Sequence, residues 1–380
     1  PRISPAYNRV ENVQSGKDES KPLNFYSNVS YQWDNSSKVN VRAYYQQLNV
    51  DNTFTDINPL KSAGVTTIGL ENLFLRADYE FNIFDNILSK VFAVYSHGGT
   101  LDKDRIELGA ENFFFDRRFG FEALEFGGEF YIPLGGSDSL LVGADTKYEK
   151  HKIETFSRID RLSDEKTALN LPRNETVKNT GAYFQYLKQI SEHWRAIAGL
   201  RVDDDSLLGT QSSFRLGAVG QLGNDIIFKA LAGSSFQAPS PELLYRTAVQ
   251  AGDIIGNSDL IAQEAKTYEL SISMPIDKRL HMSLTAFQTN VEELVVFESD
   301  GSNLFATNSA ASKTTGIELE VRMLWRKMSG YFNYSRQKTK RDAAPNSLFV
   351  LEHRKTGEIY PEHHANLGLS YRWAKHKTTL

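Results

Sequence analysis

The stretch 72–81 reads NLFLRADYEF, and its pattern decides the fold class. Apolar side chains occupy its odd positions, namely Leu73, Leu75, Ala77, Tyr79 and Phe81. Polar side chains occupy most of its even positions, namely Asn72, Arg76, Asp78 and Glu80. Because successive side chains of a β-strand point to opposite faces, this period of two residues predicts a strand with one apolar and one polar face.

The same alternation recurs along the chain, in the segments 23–33, 38–46, 194–203, 267–274, 317–325 and 365–373. Most of these runs last about 9–13 residues, whereas strands of soluble proteins most often have ~5–6. A tilted strand needs ~9–11 residues to cross a bilayer. The pattern therefore predicts an all-β fold, a large antiparallel transmembrane up-and-down β-barrel, of which this chain supplies about 15 strands.

Short and long connections alternate between the predicted strands. Tight turns are expected at 34–37, 82–86, 135–138, 191–192, 223–225, 275–277 and 326–327. Longer polar stretches are expected at 49–68, 98–119, 152–178, 204–211, 237–264, 298–312 and 339–362. In a meander this alternation places the tight turns on one rim and the long loops on the other, as in outer-membrane barrels.

The four tryptophans support a membrane interface. Each lies on the apolar face near a tight turn or near the chain end where the next turn is due: Trp33, Trp194, Trp325 and Trp373. Aromatic residues are enriched at both surfaces of a bilayer, so this placement predicts an aromatic girdle. The alternative is that all four belong to the core of a soluble β-sandwich, which gives no reason for sorting the loops by length.

Composition excludes several classes of site. The 380 residues include no cysteine, which excludes disulfides, zinc–thiolate sites and cysteine nucleophiles. The net charge of −4 offers no basic excess for binding nucleic acid. No apolar run approaches the ~20 residues of a transmembrane helix. The chain begins with Pro1 and ends just after a predicted strand, which suggests a piece of a longer protein.

No catalytic or metal-binding constellation is legible, so we expect neither an enzyme nor a cofactor. Asp203, Asp204 and Asp205 offer oxygen ligands for a cation, but a solvated loop start is the favoured explanation. His363 and His364 are adjacent on a predicted strand and therefore point to opposite faces, which prevents them from chelating one metal there. A lipase or protease barrel would need a Ser/His/Asp arrangement that the sequence does not display.

Several motifs in the second half resemble the barrel of TonB-dependent receptors. The stretch 235–245 (SFQAPSPELLY) is similar to a signature of that family. Residues 256–269 resemble the next family segment, with Ser258 and Gln263 where proline is usual. Further likenesses lie at Asn308 with 315–320, at 181–185 and at 199–203, although Ala306 replaces a usual tyrosine. The first half matches by architecture alone.

This resemblance implies a 22-stranded barrel in the bacterial outer membrane, closed by an N-terminal plug. Residues 1–380 are then a partial barrel, with the plug and some strands outside them. It also implies active uptake of a scarce nutrient, either a ferric siderophore or a vitamin B12-like ligand. The implied partners are the TonB–ExbB–ExbD complex, outer-membrane lipid and lipopolysaccharide. A passive porin is the alternative, and the two differ in whether a plug precedes the barrel.

Arginines and aromatic residues in the long loops are the candidate ligand residues: His97, Arg105, Arg117, Arg118, Arg158, Arg161, Tyr245 and Arg246. Such side chains can hold an anionic iron chelate or a flat ring through charge-assisted hydrogen bonds and stacking. Binding of lipopolysaccharide phosphates, or solvation alone, remains open for all of them. The proline-rich part of 235–245 is interpreted as structural, because it fixes the exit of a strand.

Overall fold

The computed structural model describes residues 2–7, 10–11, 19–20, 22–33, 37–52, 66–84, 86–106, 112–223, 225–249, 252–299, 301–342, 361–372 and 377–379. The first half contains β1 (Arg2–Tyr7), β2 (Val10–Glu11), β3 (Glu19–Ser20), β4 (Leu23–Gln32), β5 (Lys38–Asn52), β6 (Thr66–Ile83), β7 (Ile87–Thr100), β8 (Arg105–Ile106), β9 (Phe113–Gly135), β10 (Asp138–Asp160), β11 (Lys166–Ala168) and β12 (Arg173–Ser191). The second half contains β13 (Trp194–Asp205), β14 (Gly209–Leu222), β15 (Ile226–Gln237), α1 (Pro241–Tyr245), β16 (Ile254–Ile255), β17 (Gln263–Asp277), β18 (Leu280–Ser299), β19 (Leu304–Trp325), β20 (Met328–Asp342), β21 (His363–Arg372) and β22 (Lys377–Thr379).

The long strands form one antiparallel meander. Within the described residues fifteen strands have ten or more residues, and each pairs with the next long strand in chain order. The short strand β16 departs from this rule, because Ile254 pairs parallel with Leu304 of β19. The predicted all-β architecture and its long-strand number are confirmed. No helix in the described ranges has the length and apolarity to span a membrane.

Apolar side chains face outwards and charged side chains face the interior. In the stretch 72–81, Leu75 is 39% exposed, whereas Asp78 is 3% exposed. The Asp78 carboxylate accepts hydrogen bonds from Arg42 at 2.8 Å and from Arg76 at 2.9 Å, so the inner face is polar yet satisfied. This inverted distribution is that of a protein whose outer surface meets lipid.

An aromatic cluster lies near the tight turns, as predicted. The rings of Tyr31, Trp33, Tyr79 and Phe81 form a continuous stack with centroid separations of 5.8, 5.8 and 5.0 Å. Further along this rim, the Arg279 guanidinium lies 5.4 Å from the centre of the Trp325 ring. These contacts suit the headgroup region, where a ring has apolar and polar neighbours together. Trp373 lies outside the described residues.

Most tight turns lie where the sequence predicts them, for instance at Arg326–Lys327 between β19 and β20. The prediction at 275–277 is wrong by about two residues, because β17 continues to Asp277. The Asp277 carboxylate accepts hydrogen bonds from the backbone N–H groups of Arg279 and Leu280, at 2.6 and 2.9 Å, and these bonds shape the turn. Residues 34–36 lie outside the described part.

The predicted long loop at 204–211 is also wrong, and this lowers the long-loop rim locally. β13 continues to Asp205 and β14 begins at Gly209, which leaves a three-residue turn. The Asp205 carboxylate accepts hydrogen bonds from Leu207 N–H at 2.9 Å and Leu208 N–H at 3.3 Å, and Gly209 takes a φ of +68°. Short polar residues and glycine favour such turns. The tallest strands lie further along the sheet on either side, because β9 and β10 have 23 residues each and β19 has 22.

Candidate functional site

The connection between β15 and β17, residues 238–262, folds over the low rim and is named here the cap segment. Ser240 begins its helix: the hydroxyl accepts a hydrogen bond from Leu243 N–H at 3.4 Å, and Pro241 occupies the first turn. Serine at the N-cap and proline at the first helical position are the usual start of a helix. The structural role of the proline-rich stretch stays a prediction, which this helix start supports.

One side of the cap segment packs into a small apolar cluster. Leu244, Leu260 and Ala306 are 5%, 4% and 0% exposed. Leu207 of the notch turn and Phe297 of β18 pack against this cluster. The cap segment is thereby joined to the β13–β14 turn and to the tall β18–β19 hairpin, in a protein whose other apolar residues mostly face outwards.

Two asparagines and a glycine also hold this side of the cap segment in place. Asn257 donates a hydrogen bond from Nδ2 to Ala306 O at 2.8 Å, and its N–H donates to Leu243 O at 2.8 Å. Asn308 accepts from Ile261 N–H at 2.9 Å and donates to Ile261 O at 3.1 Å. The backbone of Gly256 lies so close to residues 244–246 that no larger residue fits. The motifs that resemble the receptor family thus build the anchor of the cap segment.

The other side of the cap segment meets β10 through Glu154. This carboxylate lies 2.8 Å from Arg246 Nη2 and 3.7 Å from Arg117 Nη1, and its side chain is 10% exposed. The backbone N–H of Glu154 donates to Glu242 Oε1 at 2.8 Å. Burial raises the pKa of the Glu242 carboxyl above its ordinary range, because the charged form loses solvation there.

The ion pairs continue from Glu154 across the rim. Arg117 binds Asp104 through two hydrogen bonds, of 3.0 Å from Nε and 3.1 Å from Nη2. The buried Asp104 carboxylate also accepts from Gly69 N–H at 3.1 Å, which links this chain of charges to β6. Paired guanidinium and carboxylate groups of this kind hold loop ends in one geometry.

Neighbouring contacts attach the C-terminal end of α1 to β12 and to the loop before it. The Arg173 guanidinium lies 4.0 Å from the centre of the Tyr245 ring. Asn170 reaches Thr247 Oγ1 at 3.4 Å, donates to Glu154 O at 2.9 Å and accepts from Phe156 N–H at 2.8 Å. Three of the predicted ligand residues, Arg117, Tyr245 and Arg246, therefore converge on one place.

Three other predicted residues form a second group at the tip of β9 and β10, divided between the two faces of the wall. The guanidinium groups of Arg105 and Arg161 lie 5.7 and 5.5 Å from the centre of the Phe114 ring. Arg158 lies 4.2 Å from the centre of the Phe113 ring. Because Phe113 and Phe114 are adjacent on β9, their rings project from opposite faces, so Arg158 does not share a face with Arg105 and Arg161.

The last two predicted residues lie apart from both groups. His97 pairs across the sheet with Leu73, so its side chain shares the outward face, and its Nε2 is 3.5 Å from Glu71. Arg118 follows Arg117 on β9 and therefore projects from the opposite face. It forms an ion pair with Asp116 at 2.8 Å. The structure does not bring His97 or Arg118 to the cap segment.

Four acceptors in this network are not predicted by the sequence pattern, namely Asp104, Glu154, Asn170 and Glu242. Nothing in the local pattern marks Glu154, because its partners Glu242 and Arg246 are about ninety residues away in the chain. The one available signal is the group of loop arginines itself, because buried arginines require carboxylate partners.

A cavity of about 510 Å³ lies beneath the start of the cap segment. Residues 238–241 cover it, and inward-facing charges line its wall. There Arg201 makes paired hydrogen bonds of 2.7 and 2.8 Å to Asp145 and ion-pairs with Asp203 at 2.7 Å. Within the described ranges no cluster of histidine and carboxylate groups is arranged for a metal ion.

The family model for the TonB-dependent receptor-like β-barrel matches residues 5–378. The chain belongs to the TonB-dependent receptor family. This confirms the resemblance read from the motifs, and it places the strands in the outer membrane with the long loops, the cap segment among them, on the extracellular side.

Individual relatives agree in fold and differ widely in sequence. The vitamin B12 transporter BtuB of Photobacterium profundum is 29% identical over 146 residues, which are 37% of this chain and 23% of that protein. The siderophore receptor PirA of Acinetobacter baumannii superposes with a TM-score of 0.72 at 16% identity, over 97% of this chain and 60% of that one. The outer-membrane transporter YddB of Escherichia coli gives 0.70 at 11% identity, over 93% and 55%. The chain thus spans less than two thirds of each relative.

Proposed function

We propose that this chain supplies barrel strands to a receptor that actively imports a scarce nutrient, either a ferric siderophore or a vitamin B12-like ligand. The observation that carries the proposal is the family match over residues 5–378, together with relatives named as a vitamin B12 transporter and a siderophore receptor. TonB with ExbB and ExbD is the proposed energy source. The relatives are transporters and receptors, and we propose no catalytic step for this chain.

The charged inner wall supports an aqueous or protein-filled lumen. Ion pairs such as Arg201 with Asp145 and Lys90 with Glu129 line it, and a wide barrel is the architecture that accommodates them. Residues 1–380 are proposed to be part of such a barrel, whose plug lies outside them. A passive porin has less support, because the matching family is that of TonB-dependent receptors and the named relatives are a vitamin B12 transporter and a siderophore receptor.

The ligand is proposed to meet the two groups of loop residues in turn. In the outer group, Arg158 shares a face with Arg117 and stacks on the Phe113 ring, which suits first contact with an anionic or aromatic ligand. Arg105 and Arg161 stack on Phe114 and stay candidate contacts from the opposite face. The inner group is Arg117, Tyr245 and Arg246. Because Glu154 and Asp104 already pair with the inner arginines, an anionic ligand must compete with these carboxylates. His97 and Arg118 are proposed to contact lipopolysaccharide phosphates outside the barrel.

Uptake by whole cells tests this function. Cells that produce the natural full-length receptor are given radioactive iron on a panel of siderophores, or labelled cyanocobalamin. We expect saturable accumulation of one ligand, and its loss when a protonophore dissipates the proton-motive force. Accumulation that survives the protonophore and rises in proportion to external concentration would overturn the proposal in favour of a porin.

A further inference from the structure

Three lysines form a group on the outer face of the wall, near the long-loop rim. Lys313 of β19 lies directly opposite Lys340 of β20, and Lys338 lies two residues from Lys340 on the same face. All three side chains are exposed, and they share the outward face of Ile317, which is 47% exposed. They are named here the lysine triad. Their outward position separates them from the candidate ligand residues of the cap segment.

The protein compensates the charges of the lysine triad only in part. Within the part of the chain that the structure describes, none of the three lysines forms an ion pair. Neighbouring carboxylates already have basic partners, namely Glu292 with Lys266 and Glu362 with Arg336. Asp342 follows Lys340 by two residues on the same face and can offset one charge. Because like charges directly opposite each other on a sheet repel, a bound anion would stabilise the pairing of Lys313 with Lys340.

The lysine triad lies just above the apolar band of the wall. Twelve residues of β19 separate Lys313 from Trp325 at the tight-turn rim. At ~3.4 Å per residue and a tilt of ~40°, this separation gives a rise of roughly 31 Å, whereas the apolar band of such barrels is ~25 Å tall. The long loops of this family are on the extracellular side. The triad is therefore level with the lipid headgroups of the outer leaflet.

An apolar groove of about 790 Å³ crosses the outer face of the wall below the lysine triad. Outward alanines of neighbouring strands line much of it, among them Ala196, Ala230 and Ala286. On β13 the groove passes Ala196, two residues from the tight-turn end of the strand, and on β19 it reaches Thr315, ten residues from that end. The groove therefore rises towards the long-loop rim. Because Thr315 is the cross-strand partner of Lys338, its upper end meets the triad.

A lipid that carries both phosphate and acyl chains matches the triad and the groove together. Lysine ammonium groups donate charge-assisted hydrogen bonds to phosphate oxygens. The groove is within the size range of ligand sites, about 300–1,000 Å³. Because lipid surrounds the wall on this side, the groove favours one seated chain through close van der Waals packing rather than through removal from water. In the outer leaflet of a bacterial outer membrane, lipopolysaccharide is the lipid that has both parts.

We propose that the lysine triad and the groove together bind one molecule of lipopolysaccharide. A phosphate lies between Lys313 and Lys340, Lys338 faces the same headgroup, and an acyl chain lies in the groove. This site goes beyond the proposed nutrient uptake and needs only the family assignment. It is also separate from His97 and Arg118, which lie on β7 and β9, in another part of the wall.

Native mass spectrometry of the natural full-length receptor in detergent tests the site. The probe is lipid A, the phosphorylated and acylated anchor of lipopolysaccharide. For the triple variant K313Q/K338Q/K340Q we expect the affinity for lipid A to fall about 100-fold, because each lysine that faces an anionic lipid contributes roughly fivefold. The matched control K229Q/K278Q/K327Q removes three exposed lysines from the inner face and the tight turns, and it should bind lipid A like the natural receptor. An equal loss in both variants, or no loss in the first, overturns the site.

The variant A286W tests the groove and retains all three lysines. We expect lipid A to bind about tenfold more weakly, because overpacking of a filled site typically costs that much. The control A182W makes the same change on the outward face of β12, where Ala182 does not line the groove, and it should leave the affinity unchanged. Natural affinity in A286W, or equal weakening in both variants, overturns the proposal.

The choice of lipid has its own test in the natural receptor. Phosphatidylglycerol carries acyl chains and one phosphate, and we expect it to bind far more weakly than lipid A. Equal affinity for the two lipids would overturn the assignment to lipopolysaccharide. These experiments contain neither nutrient nor TonB, so their failure is distinct from a failure of the proposed uptake function.

Discussion

Replacing Gly256 by alanine should unseat the cap segment. A Cβ atom at this position would lie 2.6 Å from the backbone nitrogens of Tyr245 and Arg246 and 2.7 Å from the carbonyl carbon of Leu244. All three are backbone atoms, so no side chain can rotate to relieve the clash. Overpacking of a tight site typically costs about 1–3 kcal/mol. We expect the same loss of docking free energy here.

Hydrogen exchange of the segment 241–262 measures this loss, because about 1–3 kcal/mol corresponds to roughly 5- to 150-fold faster local opening. The matched control is G128A on β9. There the added Cβ would meet Lys90 O at 3.5 Å and Val91 Cγ1 at 3.6 Å, which are ordinary contacts. If G256A exchanges at the rate of the natural protein, or no faster than G128A, the close approach at Gly256 does not hold the cap segment.

Three further predictions follow from the anchor, the lipid-facing surface and the buried carboxyl. N308A removes the hydrogen bonds to Ile261 and to Glu293 O, which should cost about 1–3 kcal/mol of docking free energy. Trypsin should therefore cut the cap segment faster, and an unchanged cleavage rate would contradict this. L216R places a charge at an outward position where the natural side chain is 49% exposed. Urea titration in vesicles should show a loss of about 2–4 kcal/mol in the free energy of unfolding. Equal stability of the two proteins would show that this face does not meet lipid. Burial raises the folded-state pKa of Glu242, so docking is favoured at low pH and weakens as pH rises through that raised value. A nitroxide on A248C should become more mobile over that rise. E242Q should reduce the change, and Glu154, whose pKa burial also raises, should supply what remains. An undiminished pH response in E242Q would refute the assignment.

The strands and most turns could be predicted because their causes are local. The alternation at 72–81 is complete within ten residues, and a glycine or aspartate turn such as 223–225 depends on its own few residues. The loop at 204–211 was misjudged because Asp205 caps a tight turn there, whereas an aspartate run reads equally well as a solvated loop. Pattern alone does not distinguish these two uses of a carboxylate.

The candidate site was only partly predictable, because its contacts join distant parts of the chain. Arg117, Tyr245 and Arg246 were identified from residue type, yet their common partner Glu154 has no local signature. His97 is different, since it continues the odd positions of Val91, Ala93 and Tyr95 and its outward direction was available from the sequence. Residue type and loop position predict which side chains can bind an anion or a ring. Strand parity decides whether such a side chain faces the lumen or the outside of the barrel.

The outward apolar surface explains why relatives with 11–16% identity superpose so closely. A side chain such as Leu216 meets fluid acyl chains, which adapt to its shape, rather than a fixed neighbour with which it must interlock. One apolar residue can therefore replace another on this face, and sequence identity falls while the strand arrangement is retained. In a water-soluble protein of this size the interior would resist such drift. The likeness to the family motifs falls instead in stretches that fasten the cap segment, such as Gly256 with Asn257.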